Sequence, residues 1–224
     1  MTTTVNTSTS HSIINIWYQA VRPRSLTATY IPVALGGVIA LENDKFQLGR
    51  FILALLGVLF LQMSANLLNE YFDYAKGSDT QKTHGLGMIL ARGLLTPKQV
   101  LIGGILTLGL GVVIGLYFVA ITGPLILAIG IGGTLAVILY TAGPYPLAYI
   151  GLGELTVFIF MGPLIVLGTD YVLSETIHSA AIWGSLPVAF LVANILHANN
   201  LRDLEADSAE NKRTLAVIFG RRFA

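Results

Sequence analysis

Two short stretches carry most of the chemistry in this chain. The first reads Asn66-Leu67-Leu68-Asn69-Glu70-Tyr71-Phe72-Asp73-Tyr74-Ala75-Lys76-Gly77-Ser78-Asp79 and closes an apolar run, 51–68, that has no charged residue. On a helix, Asn69 and Asp73 are four apart and Glu70 and Asp73 three apart, which puts these groups on nearly one face. The second reads Asn199-Asn200-Leu201-Arg202-Asp203-Leu204-Glu205-Ala206-Asp207, again at the end of an apolar run, with Asn199, Asp203 and Asp207 at i, i+4 and i+8. The shared N-x3-D spacing suggests two acidic lips of one site. A carboxylate in hydrocarbon costs about 2.5–3.5 kcal/mol on insertion scales, so such groups usually face a polar cavity. Hard cations take oxygen ligands, and Mg2+ is usually held by one or two carboxylates together with substrate phosphates. Facing carboxylates, with Lys76, Lys82, Arg92, Lys212 and Arg213 near enough in sequence to pair with phosphate charge, point to a metal-bound diphosphate. The apolar runs beside them suit a long hydrocarbon tail, so the implied substrate is a lipid diphosphate.

The bland reading of an acid at a helix end is a solvated loop residue. Two amide-plus-acid clusters, each at the end of an apolar run, argue against it here. Lys212, Arg213, Arg221 and Arg222, taken one by one, read first as orientation signals rather than ligands. Glu154, after Gly151-Leu152-Gly153, either lines the site or sits at the membrane interface, and the residues leave both open. His197, less than two turns before Asp203, reads as a helix-packing histidine before it reads as a base.

The elements that must position these groups are membrane helices. Of 224 residues, 54% are hydrophobic and 11% charged, against about 25% charged in soluble domains. The absence of cysteine excludes disulfides and thiolate metal sites. Residues 1–12 are polar and Ser/Thr-rich, without the apolar core of a signal peptide, and read as a disordered cytosolic arm ahead of one membrane domain, 13–224. An interfacial helix is expected over 13–20, with Trp17 and Tyr18 at headgroup depth. Six spans follow, at about 26–41, 51–69, 100–121, 124–140, 148–168 and 180–198, with a polar loop over 70–98 and an outer turn over 170–178. Gly111 and Gly115 form a small-xxx-small face for helix packing. Eleven of the thirteen Lys and Arg residues fall on one side, only Lys45 and Arg50 on the other, so both acidic clusters are expected to face the cytoplasm of a cell with the protein in its inner (plasma) membrane.

At these residues the chain resembles the UbiA superfamily of intramembrane prenyltransferases. The first cluster is similar to that family's first Asp-rich motif, and Asp203 with Asp207 to its D-x3-D second motif. Arg22-Pro23-Arg24-Ser25-Leu26 resembles the segment leading into the first span. Tyr140-Thr141-Ala142-Gly143-Pro144-Tyr145-Pro146-Leu147-Ala148-Tyr149, with Gly151-Leu152-Gly153-Glu154, resembles the middle loop of the 1,4-dihydroxy-2-naphthoate polyprenyltransferases of the menaquinone branch. So does Asn199-Asn200-Leu201-Arg202-Asp203 with Lys212-Arg213-Thr214-Leu215-Ala216. The resemblance implies transfer of a polyprenyl group from its diphosphate to an aromatic acceptor. Glu70, Asp73, Asp79, Asp203 and Asp207 would hold Mg2+, with Asp73, Asp203 and Asp207 central to catalysis. Asn66, Asn69, Asn199 and Asn200 would orient ligands or substrate, alongside Lys76, Lys82, Arg92, Lys212 and Arg213. Departures are Glu70 where the family usually has Asp, Met88 where many members have a basic residue, and the wide spacing to Asp79.

The expected fold is an all-α, polytopic transmembrane bundle, with about six spans present of a family pattern of about nine. On that count the domain is expected to be incomplete at its C-terminal side, or to close its bundle by self-association. The lipid bilayer, a polyprenyl diphosphate and an aromatic acceptor are the expected partners, with no nucleic acid. Two rival readings stay open: another UbiA branch (4-hydroxybenzoate, haem, chlorophyll or archaeal lipid prenylation), or a cation-coupled transporter. Transport favours acids near mid-membrane in broken helices, whereas these acids cluster at one face.

Overall fold

The computed structural model describes residues 12–77 and 88–223. Every regular element among them is a helix. In order these are α1 (Ile13–Ala20), α2 (Thr27–Glu42), α3 (Leu48–Ala75), α4 (Pro97–Thr122), α5 (Pro124–Leu139), α6 (Gly153–Met161), α7 (Pro163–Ser174), α8 (Ser179–Arg202), α9 (Leu204–Ala209) and α10 (Leu215–Phe219). Five stretches are long and apolar enough to cross a membrane, counting Pro23–Glu42 and Gly153–Ser174 each as one, and Pro124–Leu139 is a shorter apolar sixth.

Helix length explains where the polar clusters end up. The 28 residues of α3 span about 42 Å at 1.5 Å per residue, well beyond a hydrocarbon slab of about 30 Å. The last turns of α3 therefore project past the slab, and Asn69 and Asp73 stand on them. This corrects the expected loop over 70–98, because α3 runs on to Ala75. At the facing end α4 starts cleanly. Pro97 occupies its first turn, and Thr96 and Gln99 cap each other's backbone N–H groups. Only Gly123 separates α4 from α5, at φ 101°, a value that glycine adopts without a Cβ clash.

The fifth span is displaced from its expected 148–168. A 3-10 turn occupies Leu147–Tyr149, and the helix begins at Gly153. It breaks at Gly162-Pro163, where proline lacks an N–H and restricts the residue before it. A Cβ on Gly162 would lie 2.4 Å from the Ala189 Cβ, so the break seats against α8. Helix α7 then continues to Ser174, and Asp170, expected in an outer turn, is fully buried within it. Its carboxylate accepts from the His178 backbone N–H at 2.9 Å and lies 2.9 Å from His178 Nδ1. A buried acid with such partners does not terminate a helix.

Among the described residues three apolar clusters form: a small one of Ile39, Val166 and Ala181 joining α2, α7 and α8, and two larger ones. Ile16 and Ala20 of α1 pack with Leu67, Ile89, Leu90, Leu95 and Val100 at the end that carries the acidic clusters. Ala40, Ala54, Phe118, Ile126, Val172 and Leu173 form the other. Helices α3 and α4 approach closely, because a Cβ on Gly111 would lie 2.8 Å from Leu61 Cδ2 and 3.2 Å from the Gly57 carbonyl oxygen. Gly115 is different. A Cβ there would meet nothing within 4 Å, so it is not part of the expected packing face.

Candidate active site

A cavity of about 520 Å³ lies inside the bundle and runs along α3 from Ala54 to Asp73. That is roughly 28 Å of helix. One end is apolar, walled by Ala54, Ile114, Gly115, Phe118, Ile126 and Val172. The other is polar, with Asn66, Asn69 and Asp73 from α3 facing Asn199, Asn200 and Asp203 from the end of α8. Arg22, Arg24, Arg202 and Lys212 supply positive charge at this end.

Each α3 group is held by a different neighbour. The Asn66 amide donates to the Val21 carbonyl at 2.7 Å and to Ser25 Oγ at 2.9 Å, fixing the turn into α2. Asn69 Oδ1 accepts from Thr141 Oγ1 at 2.8 Å, and Asp73 Oδ1 accepts from the Tyr149 hydroxyl at 2.8 Å. Lys76 donates to the Thr141 carbonyl at 2.6 Å and sits 4.5 Å from the centre of the Tyr149 ring. Burial pushes the Lys76 ammonium below its ordinary pKa of 10.5, and the Asp73 charge partly offsets this.

On the facing side, Asp203 accepts from Arg202 Nε and Nη2, both at 2.8 Å. Backbone bonds Asp203 N to Asn199 O (3.0 Å) and Asp207 N to Asp203 O (2.8 Å) carry the chain through the bend between α8 and α9. Asp207 is buried behind the cavity, with Lys212 Nζ 3.5 Å from Oδ1. Lys212 Nζ also lies 5.5 Å from the Tyr149 ring centre. Asn200 donates its amide N–H to Glu154 Oε1 at 2.9 Å, and His197 Nδ1 lies 3.2 Å from the same oxygen. The segment over 140–154 therefore touches both acidic clusters, with Tyr149 at its centre.

This architecture matches known proteins. The model of the UbiA prenyltransferase family fits residues 29–224. The chain belongs to the UbiA prenyltransferase family. It is similar to the 1,4-dihydroxy-2-naphthoate octaprenyltransferase of Bacillus subtilis (strain 168), 36% identical over 213 residues, covering 95% of this chain and 68% of the relative. The protein of the same name from Escherichia coli (strain K12) is 32% identical over 210 residues, covering 91% and 68%. The solved UbiA homolog from Archaeoglobus fulgidus bound to GPP and Mg2+ shares the fold at a TM-score of 0.73 and 18% identity, covering 92% of this chain and 70% of that one. The protein is thus an all-α, multi-pass membrane prenyltransferase of the UbiA family.

Within this UbiA bundle the expected site residues divide into three groups. Asn66, Asn69, Asp73, Asn199, Asn200, Asp203 and Lys212 line the one cavity. Asp207 is buried just behind that lining, and Lys76 is exposed beside it, bonded to the Thr141 carbonyl. Glu70, Arg92 and Arg213 do not line it. Arg92 reaches outward to Gln19 Oε1 at 3.1 Å, and Arg213 is exposed, its backbone N–H donating to the Tyr149 carbonyl. Glu70 points toward Arg22, just past the end of α1, and the 88–90 backbone. On a helix it stands about 100° from Asn69, and the packing of α1 turns that direction away from the cavity. Asp79 and Lys82 lie outside the described residues. Among the described residues, no three His, Asp or Glu side chains are grouped as a metal-ligand set. Sequence reasoning did not assign Arg22, Arg24, Arg202, Thr141 or Tyr149 to the site. The signal was present in the Arg22-Pro23-Arg24-Ser25 and 140–149 motifs, but without a partner for each side chain.

Proposed function

We propose that this chain transfers a polyprenyl group from its diphosphate to 1,4-dihydroxy-2-naphthoate, a step of menaquinone biosynthesis. The observation that carries the reading is one continuous cavity, with Asp73 and Asp203 at its polar end and an apolar wall at the other. The relatives' names support the choice of acceptor. The polar end offers carboxylate and amide oxygens beside Arg and Lys donors, a set that fits Mg2+ carried with a diphosphate. Asp73 and Asp203 would hold that ion, with Asp207 behind them and Asp79 as a further candidate from the first motif. When bound, Mg2+ supplies positive charge against the negative charge that grows on the departing diphosphate.

The chain's own residues do the rest. Arg22, Arg24 and Lys212 pair with the remaining phosphate charge. Tyr149 fixes the direction of Asp73, and Arg202 that of Asp203. Glu154 takes the Asn200 N–H, which leaves the amide oxygen to accept from an acceptor hydroxyl. The apolar end holds the prenyl tail and keeps water from the reacting carbon. Where the two ends meet, the bond from the prenyl C1 to the diphosphate oxygen breaks, the diphosphate leaving with the electron pair; the acceptor ring carbon that bears the carboxylate bonds to C1, and the pair of its bond to the carboxylate returns to the ring. The ring carboxylate leaves as carbon dioxide.

The placement of Lys and Arg supports a site facing the cytoplasm from the inner membrane. A Ser208→Cys variant of this cysteine-free chain should react with an impermeant thiol reagent only in inverted or opened vesicles, and labelling of intact cells would reverse the orientation. The function itself is tested by supplying the purified chain with labelled polyprenyl diphosphate and a panel of aromatic acceptors. Prenylated, decarboxylated naphthoate product is expected. Product from 4-hydroxybenzoate and none from the naphthoate would move the chain to another branch of the family.

A further inference from the structure

We propose that Glu70 is a positioning residue that shapes the rim of the cavity and aims Arg22 at the diphosphate, and that it is not a metal ligand. The inference rests on the functional reading above. Glu70 is 1% exposed, although it stands in the first of the two acidic clusters. Its Oε2 accepts from Arg22 Nη2 at 2.7 Å and from the Met88 backbone N–H at 3.1 Å, and its Oε1 accepts from the Leu90 N–H at 3.2 Å. A carboxylate offers about four acceptor positions, so three of them are taken by the protein itself. Turning this group into the cavity would abandon all three and strand the buried Leu90 N–H and the half-buried Met88 N–H.

Both partners of Oε2 have unusual backbones. Arg22 has φ 52° and Met88 has φ 50°, the left-handed region that residues with a Cβ seldom adopt. Both also line the cavity. Such conformations persist where the surroundings over-determine them. At Met88 one buried carboxylate does so through the backbone N–H, whereas at Arg22 the backbone is bonded to Gln19 and Ser25 and the same carboxylate, 48 residues away, holds the guanidinium. Arg22 Nη2 is thereby committed to Glu70, while its Nε is buried without a hydrogen-bond partner in the structure. An anion arriving at the polar end meets a guanidinium whose direction is already set. The chemistry that would occupy it is a phosphate oxygen, which takes charge-assisted hydrogen bonds from arginine.

The test uses the full chain in lipid nanodiscs and a prenyl thiolodiphosphate that binds but does not react. Calorimetry gives its Kd and the Mg2+ concentration for half-maximal binding. Glu70→Gln should weaken analogue binding about tenfold or more, the loss typical of a charged hydrogen bond, with the Mg2+ midpoint within twofold of the unaltered chain. Arg22→Lys should do the same. The double variant should be no weaker than the weaker single, because both changes remove one interaction. Met88→Gly, which relieves the left-handed position, should recover part of the binding in the Glu70→Gln background. A tenfold shift of the Mg2+ midpoint in Glu70→Gln, or full additivity of the two losses, would overturn the proposal. If Glu70→Gln fails to accumulate, Arg22→Lys still decides the point, since near-normal affinity there would refute the aimed guanidinium. No analogue binding by the unaltered chain would instead overturn the functional reading, and this inference with it.

Discussion

Replacing Tyr149 with Phe removes one oxygen and leaves the rest of the polar end in place. The Tyr149 hydroxyl donates to Asp73 Oδ1 at 2.8 Å. A hydrogen bond to a charged group contributes about 1.5–3 kcal/mol, more than a neutral pair. The ring between Lys76 and Lys212 would stay, as would the backbone bond from Arg213, so the two cation–ring contacts are not the quantity being measured. If Tyr149 acts by holding Asp73 in its working direction, the lost interaction appears in the transition state. At about 1.4 kcal/mol per factor of ten, kcat/KM should then fall roughly 10- to 100-fold. The assay is transfer of labelled prenyl diphosphate, run across Mg2+ concentrations, with thermal unfolding in the same detergent as a control. A cycle with Asp73→Asn completes it. Since the hydroxyl works only through that carboxylate, the double variant should be no slower than Asp73→Asn alone. Activity of Tyr149→Phe within twofold of the unaltered chain would show that Asp73 needs no such support. Losses that multiply in the double variant would mean that the hydroxyl acts elsewhere.

Three further outcomes are expected. Asp203→Asn should lower kcat at least tenfold, the scale of a lost charged hydrogen bond or ligand, whereas Glu42→Gln at the far end of α2 should leave it unchanged; near-normal kcat in Asp203→Asn would return the acid to the class of solvated loop residues. Lys76, held below 10.5 by burial, binds fewer protons folded than unfolded between its lowered pKa and the unfolded value, so stability should rise with pH through that window; its rate of modification by an amine reagent, followed by peptide mass mapping, should have a midpoint below that of free lysine amide, and an equal midpoint would contradict the burial. Gly115→Leu should leave transfer from short prenyl diphosphates intact and reduce kcat/KM for long ones about fivefold or more, because the new side chain fills the tail space and overpacking costs about 1–3 kcal/mol; equal loss for short and long tails would show that the tail does not pass Gly115.

How much of this was legible in the sequence depends on which force decides each feature. Length and apolar content decide helices, so the all-α reading, the six apolar stretches and the two polar helix ends could be read directly. The rotation of a helix is decided by its neighbours. Asn66, Asn69, Glu70 and Asp73 all occupy the end of α3, and sequence spacing alone put Glu70 with Asp73. The packing of α1 and the 88–95 segment against Leu67 sends Glu70 the other way. The same limit explains the fifth span. Its apolar run stops near Gly168, yet the helix continues to Ser174 because Asp170 finds His178 and Ser174 as partners. Arg92 and Arg213 were counted toward the site by charge alone, and charge does not say where a flexible side chain turns.

The polar end also shows why the segment over 140–154 matters more than its turn-like composition suggests. Within a bilayer, apolar helix faces gain little by leaving lipid for one another, so packing and hydrogen bonds set how the helices line up. Where Gly57 and Gly111 let α3 meet α4 closely, packing is enough. Between α3 and α8 a cavity intervenes, so the two do not pack directly and packing links them by way of α2 and α7. The contacts that bridge that gap run through the segment instead: Thr141 to Asn69 and Lys76, Tyr149 to Asp73, and Glu154 to Asn200. Each joins an α3 or α8 polar group to the same short stretch of backbone. The two acidic clusters are therefore held in register by a chain of hydrogen bonds at the end of the bundle where water and substrate arrive, and the apolar end is left open enough to take a tail.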